Sequence, residues 1–298
     1  MRSFRKIKAW TTNLVRLLLW NVNRRFRKRG LVNTRQGKFK IVFDVEDSIS
    51  RLLFIYRQYH AEHVERALSF LKTHRGHEAG QGAILDVGAN SGVISIGMLV
   101  KGQMGRAIAL EPDPVNYSLL LENIELNQLG NVMLCLNVAA SDRQSSLQLE
   151  LSADNYGDHR IRIEGIKTSG VELLNESTRA TIPVRADKLD TLIEELDPSF
   201  TDEIALVWID IQGHEGFAFQ GARQLFSRDI PVVSEIWPYG ILRSGQSLED
   251  FHQIVSSIWS HYWVWRRGNF VRYPVETFPI FLEELGTDGD FDDVIFTN

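Results

Sequence analysis

The run Ala83-Ile84-Leu85-Asp86-Val87 is apolar apart from Asp86, ends in Gly88, and is followed from Val93 to Val100 by apolar residues at helical spacing. Such a segment reads as strand, tight turn, helix. The alternation then repeats. Ala107 to Leu110 precedes a helix expected from Pro114 to about Leu129, and Val132 to Val138 reads as a third strand. Farther on come a helix from about Asp187 to Leu196, a strand from Ile204 to Ile211, a short helix after His214, a strand from Val232 to Ile236 and a helix from about Ser247 to Ile258. Strands alternating with helices predict a mostly parallel, doubly wound α/β sheet covered on both faces. Tyr262 to Trp265 and Val294 to Phe296 are candidate terminal strands. Between Ser141 and Val184 short alternating stretches such as Leu147 to Leu151 predict a β insertion or hairpin near the pocket.

At 298 residues, 44% hydrophobic and 24% charged, the chain has the composition of a soluble globular protein with a sizeable core. No Pro/Gly/Ser-rich linker interrupts the periodic pattern, which predicts one domain over residues 41–298 behind an N-terminal extension of residues 1–40. The single cysteine, Cys135, sits in an apolar run and reads as a small buried hydrophobe. One cysteine allows no disulfide within the chain, which fits a reducing compartment. The cytoplasm is the expected location, with peripheral contact at a membrane surface as an addition to it.

Charge is distributed unevenly. Thirteen Lys/Arg and no Asp/Glu precede Asp44, whereas the remainder carries 20 basic against 38 acidic residues. An acidic body argues against a nucleic-acid substrate, which needs clustered Lys/Arg. In the basic head, Phe4, Ile7, Trp10, Leu14, Val15, Leu18 and Val22 share one side of a helical wheel, with Arg2, Arg5, Lys6 and Arg16 on the other. Arg24 to Arg29 follows. This pattern suits a helix lying on an anionic membrane with its two tryptophans at the interface, so residues 1–30 are a candidate peripheral contact. A helix docked on the acidic body and a mitochondrial-type presequence are the competing readings. Leu17 to Trp20 is too short to span a bilayer.

In an open α/β sheet, ligands bind beyond the carboxyl ends of the strands. The first such turn is Asp86-Val87-Gly88-Ala89-Asn90-Ser91-Gly92. Gly88 supplies a backbone conformation closed to other residues, Gly92 lets the next helix start close to the sheet, and Asp86 is placed to hold an ammonium group. About twenty-five residues on, Glu111 ends the second strand, where a carboxylate accepts hydrogen bonds from both ribose hydroxyls of an adenosine cofactor. The glycine spacing is wrong for a dinucleotide, because Gly-x-x-x-Gly does not make the Gly-x-Gly-x-x-Gly pyrophosphate turn. No Walker-type Gly-Lys-Ser/Thr occurs.

Five segments in this order resemble the FkbM-type methyltransferases: Leu85-Asp86-Val87-Gly88-Ala89-Asn90-Ser91-Gly92, Glu111-Pro112-Asp113-Pro114, Asn137-Val138-Ala139-Ala140-Ser141-Asp142, Lys188-Leu189-Asp190-Thr191-Leu192 and Trp208-Ile209-Asp210-Ile211-Gln212-Gly213-His214-Glu215. The resemblance implies a Rossmann-like class I fold, S-adenosylmethionine as cofactor, and O-methylation of sugars, polyketides or other natural products. It implies that Asp86, Gly88, Ala89, Asn90 and Gly92 surround the methionine and ribose parts, that Glu111 takes the ribose, and that Asn137, Ala139 and Asp142 lie near adenine. In one respect the sequence departs from the family, whose usual Asp-x-Glu-Gly-x-Glu has its first Glu replaced by Gln212.

Methyl transfer from a sulfonium is an in-line displacement, so the protein mainly aligns the acceptor and takes its proton. Asp210, His214 and Glu215 are the candidate bases, against readings as a helix cap for Asp210 and as surface residues for the other two. Glu235 and Trp237 are placed to line the acceptor side. No metal-ligand spacing is present that would compel a metal. The expected function is an S-adenosylmethionine-dependent O-methyltransferase acting on a small-molecule or lipid-linked hydroxylated acceptor. A non-catalytic cofactor-binding or scaffold protein and an NAD(P)-dependent oxidoreductase are the alternatives.

Overall fold

The computed structural model describes residues 2–42, 47–153, 155–163 and 172–298, with backbone only for residues 2–10 and 42. Its central sheet has eight strands: β1 (Ala83–Val87), β2 (Arg106–Leu110), β3 (Met133–Leu136), β4 (Ile204–Ile209), β5 (Val232–Ile236), β6 (His261–Arg266), β7 (Asn269–Pro274) and β8 (Asp292–Thr297). They lie in the order β7-β6-β8-β5-β4-β1-β2-β3. β1 to β5 run parallel, and β8, β6 and β7 add an antiparallel edge. Successive residues of β1 enter opposite cores, Leu85 the one that holds Val207, Phe219 and Phe296 and Ile84 the one that holds Ile96, Leu120 and Phe70. Burial on both faces is why these strands read as almost unbroken apolar runs.

One face carries helices α1 (Arg2–Phe26), α2 (Ser48–Tyr56), α3 (Ala61–Arg75), α4 (Val93–Val100) and α5 (Pro114–Leu126); the other carries α6 (Glu215–Gln220), α7 (Pro238–Arg243), α8 (Leu248–Ser256) and α9 (Phe278–Leu285). Local chemistry sets the helix starts. Asp113 caps α5 by accepting from the Asn116 N–H at 2.9 Å, with Pro114 in the first turn. The third strand stops at Leu136 rather than Val138, because Ala139 and Ala140 leave to pair with Ala186 and Asp187. For the same reason Asp187 ends a strand, Thr181–Asp187, and the helix expected from there covers Leu189–Glu194.

Those pairings belong to a second, four-stranded sheet with Ser145–Glu150 and Arg160–Arg162, which is the β insertion. Residues 154 and 164–171 of it lie outside the described residues. Arg160, only 4% exposed, ties it together through Asp158 at 2.9 Å and Glu176 at 3.1 Å. A buried guanidinium held by carboxylates on two turns fixes the insertion where a loop alone would not.

Before β1 the chain forms α1 and a hairpin, Arg29–Asn33 with Lys38–Val42, whose Arg29 and Lys40 pair with Glu122 of α5 at 2.9 and 3.3 Å. α1 docks on α2 through a side that the wheel did not single out. Trp20 is buried against Phe54, ring centroids 5.6 Å apart, and Arg16 donates to the Ile55 carbonyl at 3.0 Å. Val15, Leu18 and Val22 are exposed on the opposite side, and Leu14 is exposed at the rim of the groove between the two helices. Trp20 is therefore not an interfacial tryptophan, and the side chains of Phe4, Ile7 and Trp10 lie outside the described residues. Among the described residues no helix is long and apolar enough to cross a membrane.

Candidate active site

Strand order reverses at β1, with β2 on one side and β4 on the other, so the crevice at their carboxyl ends is the topological switch point. A cavity of about 410 Å³ opens there, walled by Asp86 to Asn90, Glu111, Ala139, Asp210 to Gln212, His214, Glu235 and Trp237 together with residues of α2, of the segment before α3 and of the insertion.

Asp86 stands at the end of β1, 1% exposed, and its Oδ2 has no hydrogen-bond partner among the described residues. Burial pushes its carboxyl up to about 6, with neighbouring Ser95 pulling the other way. An unpartnered buried carboxylate oxygen in a cavity wall is an acceptor waiting for a donor. After it the chain turns through Gly88 at φ 87°, where a Cβ would lie 2.0 Å from the Asp210 carbonyl oxygen. Gly88 is thus required by the backbone of the next strand end rather than by a ligand. At Gly92, φ 84°, a Cβ would meet Leu120 of α5 at 2.5 Å, so this glycine seats α4 against α5.

Glu111 follows β2. Its two oxygens accept from the backbone N–H groups of Asn90 at 2.7 Å and Asp113 at 2.9 Å, and burial pushes its carboxyl up to about 8. The carboxylate thereby ties the first turn to the second. The Asn90 amide donates to the Tyr156 carbonyl at 3.1 Å and the Asn116 amide to the same oxygen at 3.2 Å, so the insertion closes over this end. Asn137 and Asp142 are not in the cavity wall. Asn137 instead donates to the carbonyls of Glu111 at 2.8 Å and Pro112 at 3.0 Å.

Asp210 comes directly after β4, where its Oδ1 accepts from the Gln212 side-chain amide at 2.7 Å. The same amide nitrogen donates to Glu235 Oε1 at 3.0 Å. One neutral donor between two carboxylates offsets their repulsion, which a glutamate at 212 would increase. Burial, with Asp293 nearby, raises Asp210 to about 6, and burial with Asp210 and Asp293 holds Glu235 well above the usual carboxylate range. Asp210 does not cap α6, whose first residue is Glu215.

His214 and Glu215 are 2% and 1% exposed, which overturns their reading as surface residues. Burial pushes the His214 imidazole down to about 3, and its Nε2 lies 3.0 Å from the Ser141 hydroxyl. Glu215 turns away from the cavity to accept from the Ile211 N–H at 3.0 Å. Trp237 donates to the Gly289 carbonyl at 3.1 Å, and the Arg160 guanidinium lies 5.0 Å over its ring.

Several wall residues were not reached from the sequence. Tyr59 and His60 stack at 4.1 Å and enter the cavity ahead of α3, and His60 stacks on His63 at 4.9 Å. His63 Nδ1 pairs with Asp293 Oδ2, and Asp293 is the partner of Glu235 across β5 and β8. The spacing Tyr59-His60-x-x-His63 was a visible hint, but Asp293 is 230 residues away from His63.

A family model described as the methyltransferase FkbM domain matches residues 86–271, well over half of the chain. The chain belongs to the FkbM methyltransferase family. It is similar to methyltransferase sdnD of Sordaria araneosa, 26% identical over 175 residues, which are 53% of this chain and 68% of that one. It is also similar to the crystal structure of an FkbM methyltransferase from Methylobacillus flagellatus KT, 17% identical with a TM-score of 0.43, over 83% of this chain and 52% of that one. It thus spans about half the length of that structure. An RNA methyltransferase of Salinibacter ruber, solved with S-adenosyl-L-homocysteine, aligns at 14% identity and a TM-score of 0.31 over 59% of this chain and 74% of that one. FkbM methyltransferases use S-adenosylmethionine, and the crevice offers such a group a buried, unpartnered Asp86 oxygen with Glu111 at the end of the second strand in the same wall.

Proposed function

We propose that this FkbM protein methylates a hydroxyl oxygen on a small-molecule or lipid-linked acceptor. The observation that carries the reading is the pairing of the Asp86 and Glu111 crevice with the Asp210–Gln212–Glu235 cluster in one cavity. In this reading Asp86 holds the cofactor's ammonium, Glu111 its ribose hydroxyls, and Gly88, Ala89, Asn90 and Ala139 line the pocket between them, with Gly92 outside the wall, where it seats α4. When bound, S-adenosylmethionine supplies a methyl group on a sulfonium, a good leaving group.

The chain's part is alignment and proton removal. Gln212 donates to Asp210 Oδ1, and Asp210 lines the cavity. Asp210 takes the acceptor's hydroxyl proton, and its raised pKa brings it toward the range where a carboxylate works as a base near neutral pH. His214, neutral because buried, is the second candidate base. Glu215, turned from the cavity, supports the loop. Trp237 and Glu235 line the acceptor side. The acidic body disfavours a nucleic-acid acceptor, and the compartment in this reading is the cytoplasm, with peripheral contact to a membrane.

The test incubates the enzyme with metabolite and lipid extracts and isotopically labelled cofactor, followed by mass spectrometry. A labelled methyl ether is the expected product. Label on nitrogen or in RNA would overturn the acceptor class, and cofactor binding with no transfer to any extract would return the protein to a scaffold role.

A further inference from the structure

The docking of α1 leaves an unusual surface. The side that meets α2 carries Trp20, Leu17 and Arg16, so the helix is fixed to the body without using its more apolar side. That other side, running from Leu14 at the rim of the α2 groove along Leu18 and Val22 and along Val15 and Leu19, is about half exposed, and Phe26 at its end is 81% exposed. A soluble protein gains nothing from presenting a continuous apolar stripe several turns long to water. Directly beyond it Arg25, Arg27 and Lys28 are exposed as well.

We propose that α1 is a peripheral anchor whose Leu14–Phe26 stripe enters the surface of an anionic bilayer while Arg25, Arg27 and Lys28 meet its headgroups. Charge complementarity picks the occupant. An apolar stripe alone would suit another protein and a basic run alone would suit a nucleic acid, but an apolar helix side followed directly by a basic run at the helix end matches the layered chemistry of an anionic lipid surface. The body beyond Asp44, with 20 basic against 38 acidic residues, is repelled by the same surface, so this face is the one that can approach. α2 then lies between membrane and crevice: Leu52, Ile55 and Tyr56 adjoin α1, whereas Ser48 and Ile49 line the main cavity. This names the face and the lipid class for the peripheral contact in the proposed function, and it does not depend on the methyl acceptor.

Deleting residues 1–30 would remove Trp20 from the core and the first two residues of the hairpin, so point variants of the full chain are the better test. The wild type, Leu18→Asp/Val22→Asp and Arg25→Ser/Arg27→Ser/Lys28→Ser are sedimented with phosphatidylcholine vesicles with and without phosphatidylserine, at low and high salt. The thermal shift caused by S-adenosylhomocysteine is read in parallel, so loss of lipid binding and loss of the cofactor site are told apart. Expected are binding to the phosphatidylserine vesicles, a loss of about a hundredfold in the triple variant from three neutralised cations, a loss of at least about tenfold in the double variant, and an unchanged cofactor shift in both. The proposal falls if the wild type stays in the supernatant of phosphatidylserine vesicles at low salt, or if the double variant binds them as well as wild type. It also falls if single-stranded RNA retains the protein more tightly than the vesicles do and the double variant keeps that binding, which would make the segment a nucleic-acid contact.

Discussion

Gly88 and Asp210 meet backbone to backbone, so closely that a methyl group at residue 88 would lie 2.0 Å from the Asp210 carbonyl oxygen. The turn after β1 and the strand end that presents the candidate base are therefore one rigid unit, reinforced by the Asp210 N–H donating to the Val87 carbonyl at 3.1 Å. The proposed cofactor pocket and the candidate base are placed relative to each other by main chain, which does not change rotamer.

Gly88→Ala should destabilise the fold by more than about 3 kcal/mol, since it adds a backbone clash to a strained positive φ. A urea melt measures this, and a loss under about 1 kcal/mol would show that the two strand ends separate easily.

Asp86→Ala and Glu111→Ala should each weaken S-adenosylhomocysteine binding more than about tenfold, because each removes a buried acceptor of the crevice. Isothermal calorimetry reads the affinity. Unchanged values in both variants would remove the cofactor from this crevice.

Asp210→Asn should lower turnover at least about a hundredfold with cofactor affinity changed only a few-fold, the low end for losing a general base. The assay uses the acceptor found by labelled-cofactor screening. Near-normal turnover in a well-folded variant would move the role to His214, which also lines the cavity.

Glu111 should make stability fall with rising pH. Its folded value, about 8, lies above the ordinary 4.5, so the folded state holds a proton that the unfolded chain has released. The favourable contribution is complete below the unfolded value and is lost as pH rises through the folded one. Glu111→Gln should therefore gain melting temperature relative to wild type between about pH 5 and 8. A difference that stays flat or reverses across that window would show the carboxyl to be ionised in the folded protein.

Gln212→Glu would place a third carboxylate between Asp210 and Glu235 and remove the amide both accept from. It should cost about 1–3 kcal/mol at neutral pH, less in acid where the cluster is protonated. Paired thermal melts at the two pH values check it, and a variant as stable as wild type at both would show that the amide is not balancing these charges.

The sequence by itself determined the sheet and its ligand-binding end, because strands buried on both faces have to be short apolar runs and because the turn after β1 needs glycine at 88 whatever surrounds it. The single cysteine, the acidic body and the positions of Asp86, Glu111 and Asp210 at strand ends were equally local facts. Tertiary structure decided what no spacing encodes. The His63 and Asp293 pair, the insertion's Tyr156 over Asn90 and the burial of His214 and Glu215 depend on segments far apart in sequence. Gln212 is a departure from the family motif when read along the chain, and becomes a charge-balancing donor only when Glu235 arrives from the next strand. The wheel could divide α1 into two sides, but which side faces the body was set by the pocket that Phe54 and its neighbours offer to Trp20. A periodic pattern fixes which residues share a side, whereas the side that is buried is chosen by what lies opposite.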